Sequence, residues 1–122
     1  MKKILVIILL VLISTNLYAL TKDEEGFLWA SETGNIEKVK ELLALGVDVN
    51  IQDEEGLTAL MNASSWGHEE IVKELIRAKA DVNVQNVYGY TAFMNASYEG
   101  HTETITLPKQ AAGDADNSIT IE

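Results

Sequence analysis

The chain has 122 residues, room for one small domain, and its 47% apolar and 23% charged content is globular rather than disordered. Its 9 basic and 19 acidic residues give a net charge of −10, and the basic ones form no cluster, which argues against nucleic acid because phosphate contacts supply most of that affinity. No cysteine is present and no two of the 8 glycines lie closer than eight positions, so disulfides, thiol nucleophiles, zinc ribbons and a glycine-rich phosphate cradle are excluded.

The first segment reads as an address. Lys2 and Lys3 precede an uninterrupted apolar run from Ile4 to Ile13, and Ser14, Thr15 and Asn16 break it before Leu17-Tyr18-Ala19. That is the three-part layout of a secretory signal peptide over residues 1–19, with cleavage expected after the small Ala19. The apolar run is short for a bilayer span, which needs about 20 residues. An uncleaved anchor is the alternative, and it would be the chain's one membrane contact. Either reading places the rest outside the cytoplasm, in a periplasmic or secreted location, because the basic start stays inside. Removal of residues 1–19 leaves 7 basic against 19 acidic residues, −12.

The remainder repeats itself. Gly56 to Ser64 reads the same as Gly89 to Ser97 apart from Leu57/Tyr90 and Leu60/Phe93, an offset of 33. The same offset links Gly34, Gly67 and Gly100, Asp48-Val49-Asn50 to Asp81-Val82-Asn83, Gln52 to Gln85, and Leu42-Leu43 to Leu75-Ile76. One period held over so many positions means one supersecondary unit stacked on copies of itself. The first copy, about 23–55, is atypical: Asp23 to Ser31 occupies the first-helix slot with an acidic, solvating start, which suits a capping repeat. In the second copy, about 56–88, Thr58 is a good N-cap for a helix over Ala59 to Ser65, with Leu60 and Ala63 facing inward. Gly67-His68 turns the chain into a second helix over Glu69 to Ala78, whose Ile71, Val72, Leu75 and Ile76 form one apolar stripe. The third copy, 89–106, follows the period as far as Ile105 and is then incomplete, because Pro108 falls where Leu42 and Leu75 sit in the complete units. Residues 107–122 are small and polar and are expected to form a disordered tail. The middle repeat's second helix would then lose cover on one side, and the uncapped C-terminal end could self-associate.

Gly56-Leu57-Thr58-Ala59-Leu60-Met61, Ala63, Gly67-His68, Ile71-Val72 and Ala80-Asp81-Val82-Asn83 together resemble the ankyrin repeat. The resemblance covers residues 23–106 and implies an all-α solenoid of helix–turn–helix units with period 33. Ala59 and Ala92 stand where the family has proline, and Met61 and Met94 where it has histidine, so a polar tie within the turn is expected to be lost.

The chemistry-bearing candidates reduce to structure. His68 and His101 occupy one position of two repeats, where the family uses histidine structurally, and no third metal ligand recurs with them. Ser64, Ser65 and Ser97 lack a nucleophile elbow. Asp114 to Ser118 lacks the glycine and closing glutamate of a calcium loop. The sequons at Asn62 and Asn95 recur with the period inside helices, so packing explains them better than glycosylation. No cofactor and no reaction are expected.

By the resemblance, partners bind the turn tips and the exposed side of the first helices. Mapped onto this chain, those positions are Glu54, Glu55, Leu57, Ser65, Trp66, Gln85, Val87, Tyr88, Tyr90, Tyr98 and Glu99. Exposed Trp and Tyr are enriched at binding hot spots, whereas packing of Trp66 and Tyr98 between neighbouring repeats is the alternative. The reading is an exported, non-enzymatic protein-interaction module whose acidic surface steers a basic partner. The rival is a truncated, marginally stable and non-functional repeat fragment.

Overall fold

The computed structural model describes residues 2–18 and 20–101, with side chains over 2–11 and 20–101. Among these residues all regular structure is helical: α1 (Lys2–Tyr18), α2 (Lys22–Thr33), α3 (Ile36–Ala44), α4 (Ala59–Ser65), α5 (Glu69–Arg77) and α6 (Ala92–Glu99). The all-α repeat expectation holds. No described helix is long and apolar enough to cross a membrane.

The 33-residue period becomes a stack. The first helices α2, α4 and α6 pack in succession, and the second helices α3 and α5 each pack on their own first helix and against each other. Each first helix starts at a threonine whose hydroxyl fills an orphan backbone donor. Thr58 Oγ1 accepts from Met61 N at 3.2 Å, and Thr91 Oγ1 accepts from Met94 N at 3.3 Å. The atypical first repeat has its own device one turn earlier. Thr21 accepts from Glu24 N at 3.3 Å and donates its own N–H to the Glu24 carboxylate at 2.7 Å, a capping box that extends α2 back to Lys22.

One core runs through the stack. It contains Phe27 and Leu28 of α2, Val39 and Leu42 of α3, Leu60, Met61 and Ala63 of α4, and Ile71, Val72 and Leu75 of α5. Leu60 and Ala63 face inward as expected. Ile71, Val72 and Leu75 are buried in the same core as Val39, Leu42 and Leu60, and Ile76 is half-buried against it. The segment whose loss is expected to uncover α5 lies outside the described residues. The second helix ends at Arg77, with Ala78 as its C-cap. The expected break at Pro108, the incomplete end of the third repeat and the tail 107–122 lie outside the described residues, as does the cleavage position Ala19.

The helix–helix turns repeat as well. Gly34, Gly67 and Gly100 all adopt left-handed φ, at 85°, 70° and 77°. Asn35 and His68 occupy equivalent places after the first two of these glycines. Asn35 caps its own helix by accepting from Lys38 N at 3.1 Å. His68 makes no such cap; its Nε2 instead donates to the Glu32 carbonyl of the preceding repeat at 2.8 Å. The ring lies directly over Gly34, where an added Cβ would sit 2.9 Å from His68 Cε1. Position Gly67 meets His101 in the same way, at 2.7 Å from Nδ1. The histidines thus have the structural place read from the sequence.

Candidate partner-binding surface

The turn tips are built by short polar side chains that fold onto their own backbone. At the first tip, Asp53 Oδ1 accepts from Glu55 N and from Leu57 N, both at 2.9 Å, and Asp53 N donates to the Leu57 carbonyl at 3.1 Å. Gly56 closes this turn at φ 77°, and even a methyl group there would press on the Asn86 backbone at 3.0 Å. At the next tip, Asn86 Oδ1 accepts from Tyr88 N at 2.9 Å and from Tyr90 N at 3.0 Å. Asn86 N closes the loop by donating to the Tyr90 carbonyl at 3.0 Å.

Adjacent tips are joined rather than independent. Val87 N donates to the Glu55 carbonyl at 2.9 Å. Gln52 Nε2 reaches both the Gly56 carbonyl at 2.9 Å and the Gln85 carbonyl, one period away, at 3.3 Å. Asp81 N donates to Asn50 Oδ1 at 2.7 Å. The first helices are cross-linked too, since Asn62 Nδ2 donates to the Leu28 carbonyl at 3.3 Å. That bond gives the Asn62 sequon the packing role expected of it. Side chains carried on this frame are therefore held in fixed relative positions, which lowers the ordering cost of binding.

The frame presents its aromatics to water. Trp66 is 61% exposed, Tyr88 70%, Tyr90 53% and Tyr98 90%. Trp66 and Tyr98 therefore do not fill the space between repeats. Glu54, Glu55, Val87 and Glu99 are exposed as well, whereas Leu57 is half-buried against the core. A cleft of about 500 Å³ between the second and third units gathers Leu57, Tyr90, Tyr98 and Glu99, together with Ser65. Glu54, Glu55, Trp66, Val87 and Tyr88 are not among its walls. Three further wall residues, Asn86, Met94 and Asn95, were missed as surface residues in the sequence. The available signal was positional: Met94 is one period from Met61, which is buried under α6, and the same side of α6 is exposed.

Charge is segregated across the stack. Residues 41–72 and 80–101 contain no lysine or arginine, and these stretches carry the tips and the first helices α4 and α6. Lys38, Lys40, Lys73, Arg77 and Lys79 lie on or beside the second helices, whereas Lys22 opens α2 and Lys2 and Lys3 open α1; three of the second-helix cations are answered by acids. Lys38 pairs with Glu41 at 3.0 Å, Lys73 with Glu69 at 2.9 Å and Glu70 at 3.4 Å, and Arg77 with Glu74 at 3.1 Å. The hydrogen bond and charge of Glu69, aided by Glu70, raise the Lys73 pKa above its ordinary 10.5. These exposed pairs within single helices add little stability individually. Among the described residues, no group of three or more His, Cys, Asp or Glu side chains could hold a metal ion.

Comparison with known proteins agrees with this geometry. Residues 27–112 match the family described as ankyrin repeats, in three copies. A protein of Escherichia coli (strain K12) named as an ankyrin repeat protein, YahD, is 53% identical over 38 residues, which cover 31% of this chain and 19% of that protein. This chain therefore spans about a fifth of that relative's length. Ankyrin repeats generally mediate protein–protein interaction and are not themselves catalysts. The period, the capped first helices, the glycine–histidine turns and the extent of the match establish that the chain belongs to the ankyrin repeat family.

Proposed function

We propose that the chain is an exported, non-enzymatic binding protein that holds a basic partner protein against its turn tips and first helices. One observation carries the reading: the surface bearing Trp66, Tyr88, Tyr90 and Tyr98 is rich in exposed aromatics and has no lysine or arginine over residues 41–72 and 80–101. Exposed rings supply anchor area at low conformational cost. The uncompensated acids Asp53, Glu54, Glu55 and Glu99 attract a basic surface and speed its encounter.

The test is capture of a saturable partner from the extracytoplasmic fraction by the wild-type chain and by Tyr88→Ala/Tyr90→Ala. Both side chains are exposed, so the double variant should weaken binding by about 2 kcal/mol or more with little change in melting. Unchanged affinity would overturn the assignment of this face. Export is tested by the mass of the mature chain. A species beginning at Leu20 supports cleavage after Ala19, whereas intact Met1 in the membrane fraction replaces it with an anchor.

A further inference from the structure

We propose that the cleft between the second and third units is an anchor site for one arginine side chain on an extended, basic segment of the partner. This deepens the reading above and rests on it. The residues lining the cleft are of four kinds: the aromatic Tyr90 and Tyr98, the apolar Leu57 and Met94, the neutral amide Asn95, and the acidic Glu99. Each wall selects against a different ligand. An acidic side chain would meet Glu99 in a stretch, residues 80–101, that offers no cation to receive it. A purely apolar side chain would bury Glu99 and Asn95 with nothing to bond, which costs more than the contact returns. A lysine suits the charge, but its ammonium is strongly hydrated and presents no planar face.

A guanidinium answers all four walls at once. Its plane stacks on tyrosine, its five N–H groups can reach a carboxylate and an amide oxygen together, and its methylene stem lies along Leu57 and Met94. Glu99 is exposed and, among the described residues, forms no ion pair with a lysine or arginine. The backbone of Tyr90 is held by Asn86, and Tyr98 stands 90% exposed on α6, where its ring is open to a guest.

The experiment is a residue-resolved NMR titration of the full chain with three blocked eight-residue peptides, alternating glycine with arginine, with lysine, or with citrulline, the neutral isostere of arginine. The arginine peptide should shift signals of Leu57, Tyr90, Tyr98 and Glu99 as one group. The citrulline peptide should bind about tenfold more weakly, as should the arginine peptide to Tyr98→Ala or Glu99→Gln. Both variants change exposed groups, and their melting temperatures should match the wild type. Equal binding of arginine and citrulline peptides would make the cleft a neutral apolar groove and overturn the proposal. Equal binding of arginine and lysine peptides, with shifts spread over Glu54, Glu55, Glu69 and Glu70, would reduce it to diffuse charge attraction and overturn it too, as would no shift from any peptide. None of these failures touches the wider reading, which stands or falls on partner capture by Tyr88→Ala/Tyr90→Ala.

Discussion

Replacing Gly34 by alanine should show how the repeats are coupled. Gly34 sits at φ 85°, and an alanine Cβ there would lie 2.9 Å from His68 Cε1 and 3.1 Å from Nδ1. Two costs follow. The left-handed conformation itself costs alanine about 1–2 kcal/mol. Displacing the ring also breaks its 2.8 Å bond to the Glu32 carbonyl, worth about 1 kcal/mol net. Gly34→Ala should therefore destabilise the chain by about 2–3 kcal/mol, and at about 4–8 °C per kcal/mol for a domain of this size the melting temperature should fall by about 10–20 °C. His68→Ala should cost only about 1 kcal/mol, because water can take over the exposed Glu32 carbonyl. In the double variant the clash and the bond vanish together. Its loss should fall short of the sum of the single losses by about 1 kcal/mol, a coupling measurable by urea unfolding followed by far-UV circular dichroism. Strict additivity, or a Gly34→Ala loss below about 1 kcal/mol, would refute the idea that this glycine exists to seat the histidine of the next repeat.

Among the described residues Lys79 is the one non-glycine with positive φ, at 68°, and it falls one period after Gly46 at φ 93°; Lys79→Gly should stabilise the chain by about 1 kcal/mol in the same urea assay. Thr58→Ala removes the acceptor of Met61 N at a buried cap and should cost about 1 kcal/mol, whereas Thr58→Ser should retain most of it. Because the folded Lys73 pKa is raised, its contribution is complete below 10.5 and is lost as the pH climbs through the higher folded value. Melting of the wild type relative to Lys73→Met should therefore converge as the pH rises above 10.5, and a difference that grows there would show the sign to be wrong.

The fold was legible because a repeat states its rules more than once. Gly56, Thr58, Leu60 and Ala63 recur as Gly89, Thr91, Phe93 and Ala96, so the turn, the cap and the inward face were each read twice. The start of α2 was harder, since Thr21 lies one turn upstream of the periodic position and only its pairing with Glu24 marks it as a cap. The partner of His68 could not be read at all, because it is a backbone carbonyl and any residue can supply one. Surface residues divide in the same way. Tyr90, Tyr98 and Glu99 follow from position, but Met94 shows in the sequence only as a replacement for the family's histidine and Asn95 only as part of a sequon inside a helix. Their place in the cleft depends on how far one unit rotates against the next, a packing property that no single repeat encodes.

Position within the array also separates two causes of exposure that a sequence treats alike. Leu28, Met61 and Met94 are equivalent, and the first two are buried beneath the first helix that follows them, whereas Met94 is 38% exposed. Its exposure belongs to its place in α6, the last of the first helices described, and says nothing about binding by itself. Trp66 and Tyr88 are different. They belong to the middle repeat, with a packed unit on either side, and they remain in water. Stacking has had every opportunity to bury them and has not. Each large side chain left there forgoes part of the roughly 1.5–3 kcal/mol that full burial of a large apolar side chain provides. That free energy is available only to an external contact, and the face that holds it is the same face from which lysine and arginine are missing.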